Sequence, residues 1–190
     1  MIKKNITGIV LAGGKSSRMG TDKGILDLNG KKVIDYVIGA LQPNVDDIII
    51  VANNSNYNNL GYRVYKDVIQ DCGPMGGIYT GLLNSSTEKN IILSCDIPFV
   101  TSPLLNYIIS QSGDYDITVP EHDGKPEPLC AIYKKHCAAK FLDLLNKKEW
   151  KLKDAMEHFS TQRLQLTDKE IETNFININT PQELNKYTQK

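Results

Sequence analysis

Ile9-Val10-Leu11-Ala12-Gly13-Gly14-Lys15-Ser16-Ser17-Arg18-Met19-Gly20-Thr21-Asp22-Lys23 decides how the rest of this chain is read. An apolar, β-branched run from Ile6 to Leu11 stops at two glycines, and ten mostly small, basic and polar residues follow before apolar patterning resumes at Ile25. This predicts a strand that feeds a phosphate loop. Gly13 and Gly14 can take positive φ and bring backbone N–H groups close to an anion. Lys15, Arg18 and Lys23 supply positive charge in a segment too polar for a core. A nucleoside triphosphate suits that composition; a plain glycine turn between strand and helix is the blander alternative.

Two phosphate-binding patterns fail here. A P-loop requires glycine five residues before Gly14-Lys15-Ser16, and Ile9 stands there. The dinucleotide pattern Gly-x-Gly-x-x-Gly fails because the glycines are adjacent and the next is Gly20.

Outward from this loop, the chain alternates strand and helix patterns. Ile25 to Gly30 is a short alternating piece ending in a turn, and Lys31 to Leu41 carries apolar residues at helical spacing. Asp47-Ile48-Ile49-Ile50-Val51 is continuously apolar, as a strand covered on both faces must be, and it exits at Asn53. That amide can donate and accept, which suits a base or ribose; an exit asparagine tolerant of left-handed backbone is the alternative. Tyr62 to Tyr65 predicts a third strand. A helix follows from Met75 or Ile78 through Leu83, after the glycine-rich Gly73-Pro74-Met75-Gly76-Gly77. Asn90 to Pro98 repeats the apolar strand with Asp96 at its end. A carboxylate there is a candidate Mg²⁺ ligand, because Mg²⁺ takes one or two carboxylates plus substrate phosphates; capping the next helix is its other use.

The second half continues the alternation. Helices are expected from the Thr101-Ser102-Pro103 cap, with Pro103 in the first turn, to about Gln111, from Ala138 to Leu145 and from Leu152 to Phe159, and strands at Asp116–Pro120, Leu129–Tyr133, Arg163–Leu166 and Phe175–Asn179. Glu121 to Pro128 reads as a hairpin turn or a loop at the active-site edge. Thr180-Pro181-Gln182-Glu183 is a capping box that opens a last helix. Together these predict a three-layer α/β/α sandwich with a mostly parallel, Rossmann-like sheet.

Composition narrows the function classes. A chain of 190 residues suits one domain, residues 1–190, with a nucleotide half of about 1–100 and an acceptor half of about 101–190. Basic and acidic residues balance at 22 each, so no global field attracts nucleic acid or an anionic membrane. No apolar run reaches the roughly 18 residues of a membrane span. The start, Met1-Ile2-Lys3-Lys4-Asn5, lacks a signal peptide's apolar core, so a soluble cytoplasmic protein is expected. Cys72, Cys95, Cys130 and Cys137 lack zinc or disulfide spacing and read as reduced thiols, Cys95 as a buried filler rather than a nucleophile. His122, His136 and His158 are expected at the surface.

Leu11 to Lys23 also resembles, without a mismatch, the signature Leu-Ala-Gly-Gly-x-Ser-x-Arg-Met-Gly-x-Asp-Lys of molybdenum cofactor guanylyltransferases, within the nucleotidyltransferase superfamily. Gly73 to Ile78, Cys95 to Pro98, Pro128 to Tyr133 and Asn177 to Pro181 agree with that family in order, so the resemblance covers nearly the whole chain. The adjacent glycines favour the guanylyl branch over its cytidylyl relatives. The resemblance implies transfer of GMP from GTP to molybdenum-molybdopterin with Mg²⁺. It implies that Leu11, Ala12 and Gly13 offer backbone groups to the nucleotide with Gly14 beside them, that Arg18 and Lys23 hold the triphosphate, and that Asn53 and Asp67 fix guanine and ribose. Asp96 is the implied metal ligand. The acceptor is expected on the later half, at Pro128, Leu129, Asn177 and Asn179, with cofactor-delivery or molybdopterin-loading proteins as possible partners. A molybdopterin cytidylyltransferase, a sugar-1-phosphate nucleotidyltransferase and a silent nucleotide-binding module stay open as alternatives.

Overall fold

The computed structural model describes residues 4–12, 22–167 and 169–188. Gly13, Gly14, Lys15 and Arg18 therefore lie outside the described residues.

β1 (Ile6–Leu11) is buried along its whole length, as a central parallel strand must be. A 3₁₀ turn, Lys23–Ile25, leads into a small hairpin of β2 (Asp27–Leu28) and β3 (Lys31–Lys32). That pairing takes the first two residues of the expected helix, so α1 runs Val33–Leu41. β4 (Asp47–Val51) has the predicted bounds, and β5 (Arg63–Tyr65) starts one residue late. α2 spans Pro74–Asn84, starting earlier than its apolar spacing predicts because Pro74 suits the first turn. β6 is Lys89–Ser94, and the chain turns at Cys95 and Asp96, short of the expected strand end.

α3 (Ser102–Gln111) leads to β7 (Ile117–His122), which pairs with β8 (Lys125–Pro126). Asp123 and Gly124, both at positive φ (50° and 69°), make the two-residue turn between them. β9 (Cys130–Lys134), α4 (Cys137–Asn146), α5 (Leu152–Met156) and β10 (Thr161–Gln165) follow. The strand expected at Phe175–Asn179 is absent. Residues Lys169–Phe175 form a 3₁₀ helix, and the extended piece after it has an alternating pattern but no ladder. Its anchor is Ile178 N donating to Asp96 O at 2.9 Å, with the Ile178 side chain buried against Leu28 and Val33. α6 (Pro181–Tyr187) begins with the predicted box, Thr180 accepting from Glu183 N.

The sheet order is β10-β7-β9-β6-β1-β4-β5, with β8 appended to β7. β6, β1, β4 and β5 run parallel, as do β7 and β10, while β9 lies antiparallel between β6 and β7. Alternation along β1 sends Ile6 and Val10 to one face and Ile9 and Leu11 to the other. α1 and α3 cover the first face, and α2, α4 and α5 cover the second. This is the expected three-layer α/β/α sandwich. The chain moves one way from β1 through β4 to β5 and then returns to β6 on β1's other side. Open α/β sheets bind ligands outside the carboxyl ends of strands at such a reversal.

Candidate nucleotide and acceptor clefts

The carboxyl ends of β1, β4, β5 and β6 are tied together by backbone bonds just past the ladder. Ala12 N donates to Val51 O, Ala52 N to Tyr65 O, and Cys95 N to Leu11 O, at 2.9 to 3.0 Å. These bonds commit Ala12 N and Leu11 O to the frame, while the Leu11 side chain lines a cleft of about 740 Å³. Lys23, Asn53, Asn54, Asp67, Gly73, Gly77 and Asp96 also face this cleft.

On one side of the cleft, Asn53 and Asp67 hold each other. Asn53 Nδ2 donates to Asp67 Oδ2 at 2.8 Å, and Asp67 N donates to Asn53 Oδ1 at 3.0 Å. Asp67 Oδ1 is buried and has no partner among the described residues. Burial pushes the Asp67 carboxyl above its usual value, offset in part by the Asn53 bond. A buried carboxylate oxygen with no donor calls for a donor on a ligand, and ribose hydroxyls or a base N–H supply one.

The N-terminus of α2 forms the floor. Gly73 precedes it at φ 59°, and the free N–H groups of a helix start favour anions. Close packing also explains the glycine pair: a Cβ on Gly76 would sit 2.6 Å from Ile69 O, and one on Gly77 3.2 Å from Leu11 Cδ2.

Lys23 and Asp96 meet on the other side. Lys23 Nζ is 3.6 Å from Asp96 Oδ2 and donates to Asn179 Oδ1 at 2.6 Å. Ser94 Oγ donates to Asp96 Oδ1 at 2.6 Å. Asp96 does not cap a helix, since α3 begins at Ser102 with Thr101 before it. Its carboxylate opens onto the cleft beside a hydroxyl oxygen, an all-oxygen donor set that fits Mg²⁺.

Asp22, the chain neighbour of Lys23, is held by a network of its own. Asp22 accepts from Gly24 N (3.1 Å), from Asn54 Nδ2 (2.6 Å) and from the Tyr57 hydroxyl. Tyr57 is fully buried, and its hydroxyl is held far above its ordinary pKa, first by burial and then by nearby acidic groups. Asp22 belongs to the quoted stretch and Asn54 adjoins Asn53, so both carried some signal. Tyr57 carried none.

A second cleft of about 190 Å³ shares Ser94, Asp96 and Leu129 with the first and is completed by Glu127, Pro128, Phe175 and Asn177. The structure thus brings Pro128, Leu129 and Asn177 together and places Asn179 on Lys23 instead. Cys95 is a buried thiol pushed well up by its surroundings, not a nucleophile facing the cleft. Of the three histidines, His136 and His158 are exposed as expected, but His122 is not. Its ring stacks on Phe175 at 4.8 Å and 5°, because it ends a strand that the 3₁₀ segment covers.

The profile of the MobA-like NTP transferase domain matches residues 8–163, which include both sides of the first cleft. The chain belongs to the MobA-like NTP transferase family. Within it, the chain is 36% identical over 193 residues to a Natranaerobius thermophilus protein named "Probable molybdenum cofactor guanylyltransferase", covering 95% of this chain and 93% of that one. It is 33% identical over 193 residues to the molybdenum cofactor guanylyltransferase of Yersinia pestis, covering 100% and 98%. Among solved structures it resembles the molybdopterin-guanine dinucleotide biosynthesis protein A of Archaeoglobus fulgidus, with a TM-score of 0.80, 25% identity and coverage of 95% and 96%. The mostly parallel sheet with helices on both faces is the fold this MobA-like transferase shares with that structure. Among the described residues no helix is long and apolar enough to cross a membrane.

Proposed function

We propose that this MobA-like transferase moves GMP from GTP to the terminal phosphate of molybdenum-molybdopterin and releases pyrophosphate. One observation carries the reading: Ser94, Asp96 and Leu129 form a wall common to both clefts, with Lys23 beside it. A donor in the large cleft and an acceptor in the small one meet at that wall. An acceptor phosphate oxygen attacks the α-phosphorus, the new P–O bond forms, and the bond to the β-phosphate bridging oxygen breaks. The acceptor is already ionised, so no base is needed; the obstacle is repulsion between anions, met by positioning and charge stabilisation.

In this reading Asn53 and Asp67 fix guanine and ribose, and Asp67 Oδ1 gains its missing donor. Leu11, Ala12, Gly13 and Gly14 border the phosphates, and Lys23 and Arg18 hold them. Pro128, Leu129 and Asn177 line the acceptor side, while Asn179 steadies Lys23. Asp96 with Ser94 would hold Mg²⁺, which when bound would neutralise charge on the triphosphate and departing pyrophosphate. We place the reaction in the cytoplasm, in a single domain spanning 1–190, with the acceptor arriving from molybdopterin-loading proteins and leaving to cofactor-delivery proteins.

Pyrophosphate release from GTP plus molybdenum-molybdopterin tests the reaction, with CTP as the control. GTP with Mg²⁺ should also protect the fold more than CTP does; at one hundred times its dissociation constant GTP should add about 2.7 kcal/mol over the ligand-free protein, or about 5–10 °C for a domain of this size. Equal protection by CTP moves the assignment to the cytidylyl branch.

A further inference from the structure

The small cleft contains a carboxylate that the reaction itself does not call for. Glu127 N donates to Pro120 O and Cys130 N donates to Glu127 O, both at 2.9 Å, so its backbone is pinned where the β7–β8 hairpin returns to β9. Its Oε1 lies 2.9 Å from His122 Nε2. His122 is fixed by its stack on Phe175, which lines the same cleft, and its Nδ1 is buried with no partner among the described residues. A buried ring nitrogen left unpaired is a cost that requires an explanation. Here it accompanies a geometry that aims the other nitrogen at Glu127.

A negative group in this cleft repels an arriving phosphate, so Glu127 must face a different part of the acceptor. A carboxylate is an acceptor only, and it pairs best with two parallel N–H donors. A pterin ring presents that pair as its exocyclic amino group and the neighbouring ring N–H, while Ile97, Pro128, Leu129 and Phe175 offer apolar surface to its faces. We propose that Glu127, oriented by His122, reads the amino-pyrimidine edge of the acceptor's pterin and sets acceptor specificity. The inference rests on the molybdopterin reading of the second cleft. Glu127 is the specificity residue, and His122 is a positioning residue acting through it.

Steady-state kinetics on the full-length protein test this, varying molybdenum-molybdopterin at saturating GTP and the reverse. Glu127→Gln keeps shape but places an amide where an anion stood. Its acceptor KM should rise about tenfold or more, the scale of one lost hydrogen bond to a charged group. Its GTP KM and its melting shift with GTP should stay at the wild-type values, which also shows that the variant is folded. His122→Gln, whose amide can replace the Nε2 donor, should keep the acceptor KM, whereas His122→Leu should raise it with kcat little changed. An acceptor KM for Glu127→Gln equal to that of wild type overturns the inference alone, provided wild type transfers GMP. If wild type transfers none, this inference and the functional reading fall together.

Discussion

Replacing Asp96 by asparagine separates a metal-holding carboxylate from a structural one. Asp96 accepts from Ser94 at 2.6 Å and faces Lys23 at 3.6 Å, with the Asp96 and Lys23 side chains 19% and 22% exposed. At an effective dielectric of about 20, two unit charges at about 4 Å attract by roughly 4 kcal/mol before desolvation, and partial exposure reduces the net worth to about 1 kcal/mol. Asparagine retains a neutral bond to Ser94 and gives up its charge assistance, about another 1 kcal/mol. The folded state therefore loses about 1–2 kcal/mol, a melting shift of roughly 2–8 °C. Catalysis should lose more. Removing one preorganised electrostatic contact costs about 10²–10³-fold in turnover, or about 2.7–4 kcal/mol. Turnover of Asp96→Asn across a Mg²⁺ titration, alongside calorimetric binding of GTP, reads both effects. Near wild-type turnover at every Mg²⁺ concentration would refute the reasoning and remove Asp96 from the metal site.

Tyr57→Phe deletes one hydroxyl that holds Asp22 while Gly24 N and Asn54 remain, so turnover should fall through loosened positioning of Lys23 with a stability loss of about 1.5 kcal/mol by thermal melting. Unchanged kcat in a folded variant would show that Asp22 does not position Lys23. Asn179→Ala removes the acceptor of the Lys23 bond, so GTP use should weaken together with acceptor use. Loss confined to the acceptor KM would return Asn179 to the acceptor cleft. At the opposite edge of the sheet, exposed His136 bridges Glu88 and Asp116, whose hydrogen bonds raise its pKa above 6.5 and lower that of Asp116 below 3.8. The His136 contribution to stability is complete below pH 6.5 and is lost as pH rises through the higher folded value. The Asp116 contribution is complete above 3.8 and is lost as pH falls through its lowered value. His136→Gln should therefore flatten the decline in melting temperature on the alkaline side of pH 6.5, and an unaltered slope would place its origin elsewhere.

Much of this protein is written in local patterns. The buried β1 run, the continuously apolar β4 and the Thr180–Glu183 box each involve groups within a strand or a helical turn, so residue spacing alone determines them. Asn53, Asp67, Lys23 and Asp96 share an edge because parallel strands covered by helices must all end on one side, and a carboxylate or amide after each strand is then carried to that side.

Other features depend on which elements become neighbours. Phe175–Asn179 has a strand's alternation, but its backbone meets the turn at Asp96 instead of a strand edge, so no ladder forms. β9 reads like its parallel neighbours because burial on both faces gives the same apolar run in either direction; only its place between β6 and β7 makes it antiparallel. Lys23 finds Asn179 across 156 residues, Tyr57 reaches Asp22 across 35, and His122 turns from the surface onto Phe175. The sequence by itself determined most of the elements, the edge on which the site lies and the residue types there. The tertiary structure decided which polar groups pair, because a hydrogen bond between distant residues depends on how layers pack and leaves no periodic trace along the chain.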